Sequence, residues 1–125
     1  MKLLLTFFVN INIFAVDISY KSNKLKKQLT KAKEMQKEFG MMAKKVNQRI
    51  KEIKASENLC DLMKIPAAKC HELHGDRKGQ YAVSISGNYR LIFEPNHDPI
   101  PLKDDNSIDT VKVTAIEMLK KEDYH

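Results

Sequence analysis

The spacing of apolar residues changes period twice along this chain, and that change limits the available architectures more than any other feature. Val16, Ile18 and Tyr20 alternate with Asp17 and Ser19, the period of a half-buried strand. Leu25, Leu29, Ala32, Met35 and Phe39 then recur at a period of about 3.6, the spacing of one helical face. Met42, Val46, Ile50 and Ile53 repeat that spacing beyond Gly40. Ser22 or Asn23 is suited to cap the first helix, and Gly40 to end it in a left-handed conformation. Two amphipathic helices joined by so short a turn should lie antiparallel. Leu59, Leu62 and Met63 predict one more helical turn before Pro66, where period two returns. Tyr81, Val83 and Ile85 alternate with Ala82 and Ser84, Gly87-Asn88 supplies turn residues, and Tyr89 to Glu94 runs back as a hairpin partner. Pro95 ends that strand. The polar stretch Asn96 to Ser107, with Pro99 and Pro101, reads as a long exposed loop, and Ile108 to Leu119 as a third strand with Val111, Val113 and Ala115 on one side. The expectation is an α+β fold in which an N-terminal helical hairpin packs on a small, mainly antiparallel β-sheet.

Length and composition narrow the partners. The chain has 125 residues, 42% hydrophobic and 30% charged, enough for a single domain with a core and unlike a disordered or fibrous chain. Residues 16–125 are read as that domain and residues 1–15 as an apolar extension. Up to Lys64 there are 14 basic and 6 acidic residues, a balance of +8, and from Ile65 onward 8 basic and 10 acidic, a balance of −2. The excess therefore sits on the helices and favours a polyanionic partner. Leu3 to Val16 is too short to span a bilayer and is interrupted by Asn10 and Asn12, so no membrane partner is expected. A signal-like segment and a mis-assigned start, with Val9 or Val16 as non-methionine alternatives, are the two other readings of it. Cys60 and Cys70 are too few for a disulfide scaffold and imply a reducing, cytoplasmic setting. With His71 and His74 they fit no familiar zinc spacing, so neither a metal nor a cofactor is expected.

Chemistry-bearing side chains crowd the interval from Cys70 to Arg90: His71, His74, Arg77, Lys78, Tyr81 and Arg90. On the strand from Tyr89, Arg90 and Ile92 share the less apolar face while Tyr89, Leu91 and Phe93 share the other. A strand arginine is ordinarily a surface residue, but a guanidinium fork suits a phosphate, and two more cations precede it. Each histidine alone is more often a surface or core residue than a catalyst, and a terminal His125 is ordinarily frayed.

Three segments together resemble the HigB toxins of the RelE/ParE superfamily of bacterial toxin–antitoxin modules. Cys70-His71-Glu72-Leu73-His74-Gly75-Asp76-Arg77-Lys78-Gly79-Gln80-Tyr81 is similar to that family's His-x-Leu-x-Gly-x-Arg-x-Gly-Gln-aromatic segment. Asn88-Tyr89-Arg90-Leu91-Ile92-Phe93 resembles its strand of Asn or Gln, aromatic, Arg and alternating apolar residues, and Asp123-Tyr124-His125 resembles its ending. The likeness extends over Val16 to His125. Many relatives carry Lys where this chain has His74, and the first fifteen residues have no counterpart.

The resemblance implies a type II toxin that cleaves messenger RNA in the ribosomal decoding site, a metal-independent endoribonuclease with no cofactor. Carried across residue by residue, His71, His74, Arg90, Asp123, Tyr124 and His125 would form the catalytic set, and Arg77, Lys78 and Asn88 would hold RNA. The general base stays open among His71, His74, Asp123 and His125. Lys24, Lys27, Lys31 and Lys44 on the hairpin would dock on ribosomal RNA. The implied partners are the ribosome, mRNA and an adjacently encoded helix-turn-helix antitoxin resembling HigA, with operator DNA contacted only through the antitoxin. A ParE-like gyrase inhibitor of the same fold, which cuts nothing, and a secreted binding protein are the competing readings.

Overall fold

The computed structural model describes residues 15–123. Five strands form one sheet in the order β1-β5-β4-β3-β2: β1 (Asp17–Tyr20), β2 (His71–Glu72), β3 (Tyr81–Ser84), β4 (Tyr89–Pro95) and β5 (Ala115–Asp123). β1 pairs with β5 in parallel and every other pairing is antiparallel. Four helices, α1 (Asn23–Thr30), α2 (Ala32–Phe39), α3 (Ala43–Ala55) and α4 (Leu59–Met63), lie between β1 and β2 in the chain. The expected α+β architecture is present, with β1 where the first alternating run falls. Residues 1–14, most of the apolar extension, lie outside the described residues, as do Tyr124 and His125.

The helical hairpin departs from the sequence expectation at one residue. Instead of a continuous first helix, the chain turns extended at Lys31 (φ −107°, ψ 122°) before α2 begins. Thr30 Oγ1 donates to the Lys26 carbonyl at 2.6 Å, the back-bonding that bends helices. Ala32, expected on the apolar stripe, is consequently exposed at the start of α2. The Ser22 hydroxyl accepts from the Leu25 amide, and Gly40 ends α2 at φ 55°, a value open to glycine at little cost.

One face of the sheet is covered by the helices. Leu29, Phe39, Val46, Ile50 and Ile53 close on Tyr81, Val83, Leu91, Phe93, Ile116 and Met118 in one apolar cluster. Arg49 is buried within this packing. Its Nε donates to the Ser84 carbonyl at 2.6 Å and its Nη2 to the Ala67 carbonyl at 2.7 Å, while Nη1 meets Glu52 at 3.1 Å. A buried guanidinium is tolerable only when its donors are satisfied in this way. The opposite face carries a smaller apolar group, Leu73, Ala82 and Ile92 with Leu119 against them.

The last strand also differs from expectation. Thr110–Lys112 is a 3₁₀ turn with Val111 exposed, so β5 begins only at Ala115 and runs on to Asp123. Within it Phe93 pairs with Met118 but Ile92 pairs with Lys120, leaving Leu119 as an extra residue. Such a bulge reverses which face each later side chain meets. Ile116 and Met118 face the helices, and strict alternation would have sent Lys120 and Glu122 there too. Because of Leu119, both face the open side.

Candidate functional site

Two cross-strand rows organise the open face. His71, Ala82, Ile92 and Lys120 are mutually registered in one, and Ser84, Arg90 and Glu122 in the next. Directly opposite residues share a face and sit close together. Arg90 therefore stands on the less apolar face, as the alternation of β4 predicts, with Glu122 beside it.

Glu122 gathers three cations. Its Oε2 accepts from Arg90 Nε at 2.9 Å, Arg90 Nη2 at 2.6 Å and Arg77 Nη1 at 3.1 Å. Its Oε1 accepts from Arg77 Nη2 at 2.7 Å and lies 3.4 Å from Lys120 Nζ. The Arg77 hydrogen bonds, followed by those of Arg90, hold the Glu122 carboxyl down at about 2, below its ordinary 4.5. It is thus an anion at neutral pH, and the four groups together carry a net +2.

Arg77 reaches this point through a local device in the chain. Gly75 (φ 68°) opens the 3₁₀ turn Gly75–Arg77 and Gly79 (φ 96°) closes the segment. The Gly79 amide donates to Glu72 Oε2 at 2.9 Å and the Leu73 amide to the Gln80 carbonyl at 2.8 Å. Leu73 seats on the small apolar group, folding the whole segment back over the open face.

His71 lies in the row next to Arg90, two strands from Ile92, a span of roughly 10 Å at ordinary strand spacing. Its Nδ1 is 2.9 Å from the Lys69 carbonyl. A carbonyl can only accept, so that bond assigns the proton of a neutral ring to Nδ1 and leaves Nε2 to act as acceptor. His74 is exposed directly before the 3₁₀ turn that carries Arg77. Asp123 ends β5 opposite Tyr89. Asn88 is exposed in the β3–β4 turn. Lys78 points elsewhere, lining a groove of about 420 Å³ with Pro99, Ile100, Leu102 and Ile108. The expected site residues Tyr124 and His125 lie outside the described residues.

Among the described residues no cluster of three or more His, Cys, Asp and Glu side chains is placed to hold a metal ion. Burial pushes the Cys70 thiol up to about 12, and such a thiol is unreactive. No helix among the described residues is long and apolar enough to cross a membrane.

Lysines expected to dock on ribosomal RNA border different concavities. Lys24 and Lys27 of α1 border a concavity completed by Glu34, Lys37 and Glu38 of α2, Lys31 is exposed at the helix break, and Lys44 borders a second concavity along α3 with Lys51. Sequence reasoning missed Glu122, Lys120 and Arg49. The only trace of the first two was the broken alternation Ile116, Met118, Leu119, which marks a bulge once the partner strand is known.

A helix layer on one face of a mixed sheet, with two arginines and a lysine gathered on one carboxylate on the other, defines an α+β protein whose open face carries a net positive cluster. Residues 18–103 match the HigB-like toxin family, RelE-like toxins of the type II toxin–antitoxin system HigB, and the chain belongs to that family. Its fold is similar to that of a YoeB/ParE toxin from Agrobacterium tumefaciens, at 13% identity and TM-score 0.50, covering 87% of this chain and 99% of that one. It is also similar to the YoeB dimer from Staphylococcus aureus, at 21% identity, TM-score 0.49 and coverage of 89% and 98%. For the YoeB-YefM complex from the same organism the values are 18%, 0.46, 88% and 97%. No curated protein matches the sequence.

Proposed function

We propose that this type II toxin is a ribosome-dependent, metal-independent endoribonuclease that cuts mRNA and so arrests translation in the cytoplasm. The observation that carries the reading is the pair of guanidiniums, Arg77 and Arg90, gathered on the open face in the row beside His71. In-line attack by a 2′-hydroxyl requires a proton acceptor, cations at the phosphate and a donor to the departing 5′-oxygen. Arg90, with Arg77, meets the charge gathering on the phosphate. His71, its Nε2 available as acceptor, His74, Asp123 and His125 share the acid and base roles, each such role contributing roughly 10²–10⁴-fold. Tyr124 stacks on a displaced base, and Lys78 and Asn88 hold the flanking RNA.

Residues 16–125 act as one domain, with Lys24, Lys27, Lys31 and Lys44 docking on ribosomal RNA. A helix-turn-helix antitoxin resembling HigA, encoded beside the toxin, neutralises it and supplies all contact with operator DNA. The test is inducible expression with and without the neighbouring gene, followed by mapping of transcript 5′ ends. New 5′ ends within translated messages, abolished by Arg90→Ala and by removal of His125, are the expected result. Growth arrest without new ends would point away from RNA cleavage. Reversing the charge of the four lysines should lower ribosome affinity and flatten its salt dependence, since each lost phosphate contact removes released counterions.

A further inference from the structure

A carboxylate at the centre of a phosphate-binding cluster calls for a physical reason. Glu122 lowers the local charge from +3 to +2, which weakens attraction for a polyanion. It contributes to neither apolar cluster, and β5 is already held by its ladders to β1 and β4. What it does do is join two arginines of different origin, one from a glycine-flanked turn and one from a strand, through a single oxygen. Oε2 takes Arg77 Nη1 at 3.1 Å and Arg90 Nε and Nη2 at 2.9 and 2.6 Å. An arginine side chain must lose rotamer freedom before it can grip a phosphate. Here that ordering is complete before RNA arrives, which is how a site held to within a fraction of an ångström gains rate.

We propose that Glu122 is a positioning residue: its carboxylate fixes the relative orientation of the Arg77 and Arg90 guanidiniums so that both meet one RNA phosphate. The assignment rests on the nuclease reading and adds a residue that the chain's resemblance to the toxin family does not supply. Glu122 touches neither the nucleophile nor the leaving group and acts only through the two arginines. The alternative role, a gate that occupies the arginines until RNA displaces it, predicts the opposite kinetic sign.

The experiment uses the full chain, Glu122→Gln and Glu122→Asp, with two readouts. The first is cleavage of a message on programmed ribosomes. With Glu122→Gln, kcat should fall about 10–100-fold, while the half-saturating ribosome concentration stays level or drops, because the site has gained positive charge. The second is the Arg90 Nε–H resonance in ¹⁵N-arginine-labelled protein, slow to exchange in the wild type and fast in Glu122→Gln. Glu122→Asp keeps the charge one methylene further back and should retain part of both, and it carries the test if Glu122→Gln does not fold. An unchanged or increased kcat in Glu122→Gln, or an Arg90 resonance indifferent to the substitution, overturns the assignment. If the wild type cuts nothing on the ribosome, the nuclease reading fails instead. The arginine resonance then decides the positioning role by itself: the Arg77 and Arg90 signals must shift together on adding a 2′-O-methyl RNA trinucleotide, and absence of that joint shift overturns it.

Discussion

The two faces of the sheet are made from the same strands yet use their side chains for opposite ends. Toward the helices, Leu91, Phe93, Ile116 and Met118 are buried in a cluster that draws on every helix, and the one charge inside it, Arg49, has its donors met by backbone and Glu52. On the open side, Leu73, Ala82, Ile92 and Leu119 form a small apolar floor beneath partly exposed arginines. Burial stabilises the first face. On the second, charge is concentrated where solvent and a ligand can reach it. The contrast teaches that adjacent residues of one strand can be separated by face, Phe93 and Leu91 buried in the core and Arg90 held in an ion pair on the open side.

Substitutions can break that division or sharpen it. The largest stability loss is expected for Phe93→Ala, about 3–5 kcal/mol, because the ring is fully buried and stacks on Tyr81 at 5.9 Å; urea denaturation measures it. Arg49→Met should cost about 2–4 kcal/mol, since the Ser84 and Ala67 carbonyls lose their donors inside the packed face. A neutral outcome would mean that this arginine is dispensable to the core. Arg90→Ala should cost about 2 kcal/mol at most while abolishing toxicity, and comparable losses from Arg90→Ala and Phe93→Ala would end the distinction between the faces.

Acid should act on the open face. Glu122 has its carboxyl lowered from 4.5 to about 2 by Arg77 and then Arg90, so its contribution is fully present above pH 4.5 and disappears as the pH falls toward 2. The melting temperature of Glu122→Gln should therefore lie below the wild type above pH 4.5, with the two curves converging in acid. Parallel curves throughout would mean that the carboxylate is not depressed. The smallest effect belongs to Lys121, whose ammonium meets Glu38 at 2.9 Å and lies over the Phe39 and Tyr89 rings at 5.4 and 5.6 Å. Lys121→Met should cost about 0.5–1 kcal/mol at this partly exposed position, measured by the same denaturation.

Local physics carried much of this architecture into the sequence. Apolar stripes announced α2 and α3, Ser22 and Gly40 marked helix ends, and the alternation of β4 placed Arg90 on the face where it lies. Three features were hidden because apolar period alone does not report them. The break at Lys31 sits in a stretch whose period alone favours a continuous helix. The start of β5 was read too early because Val111 and Val113 alternate as a strand would, although the first is exposed in a 3₁₀ turn. Glu122 was invisible as a site residue because its face depends on an unpaired Leu119, and pairing belongs to two strands at once. The roles of Tyr124 and His125 rest on the resemblance alone.

The extra residue in β5 also has a genetic meaning. Loss of the single codon for Leu119 would bring Lys120 directly after Met118, and strict alternation would then set Lys120 and Glu122 on the open side, where the bulge already puts them. Ile116 and Met118 would keep their register with β4, Lys121 its place over the aromatic rings and Glu122 its place opposite Arg90. An in-frame deletion of three nucleotides would thus take one apolar side chain from the floor of the open face and leave the shared anchor of Arg77 and Arg90 standing. Lineages of this chain can shorten β5 by one residue there and keep the cluster intact.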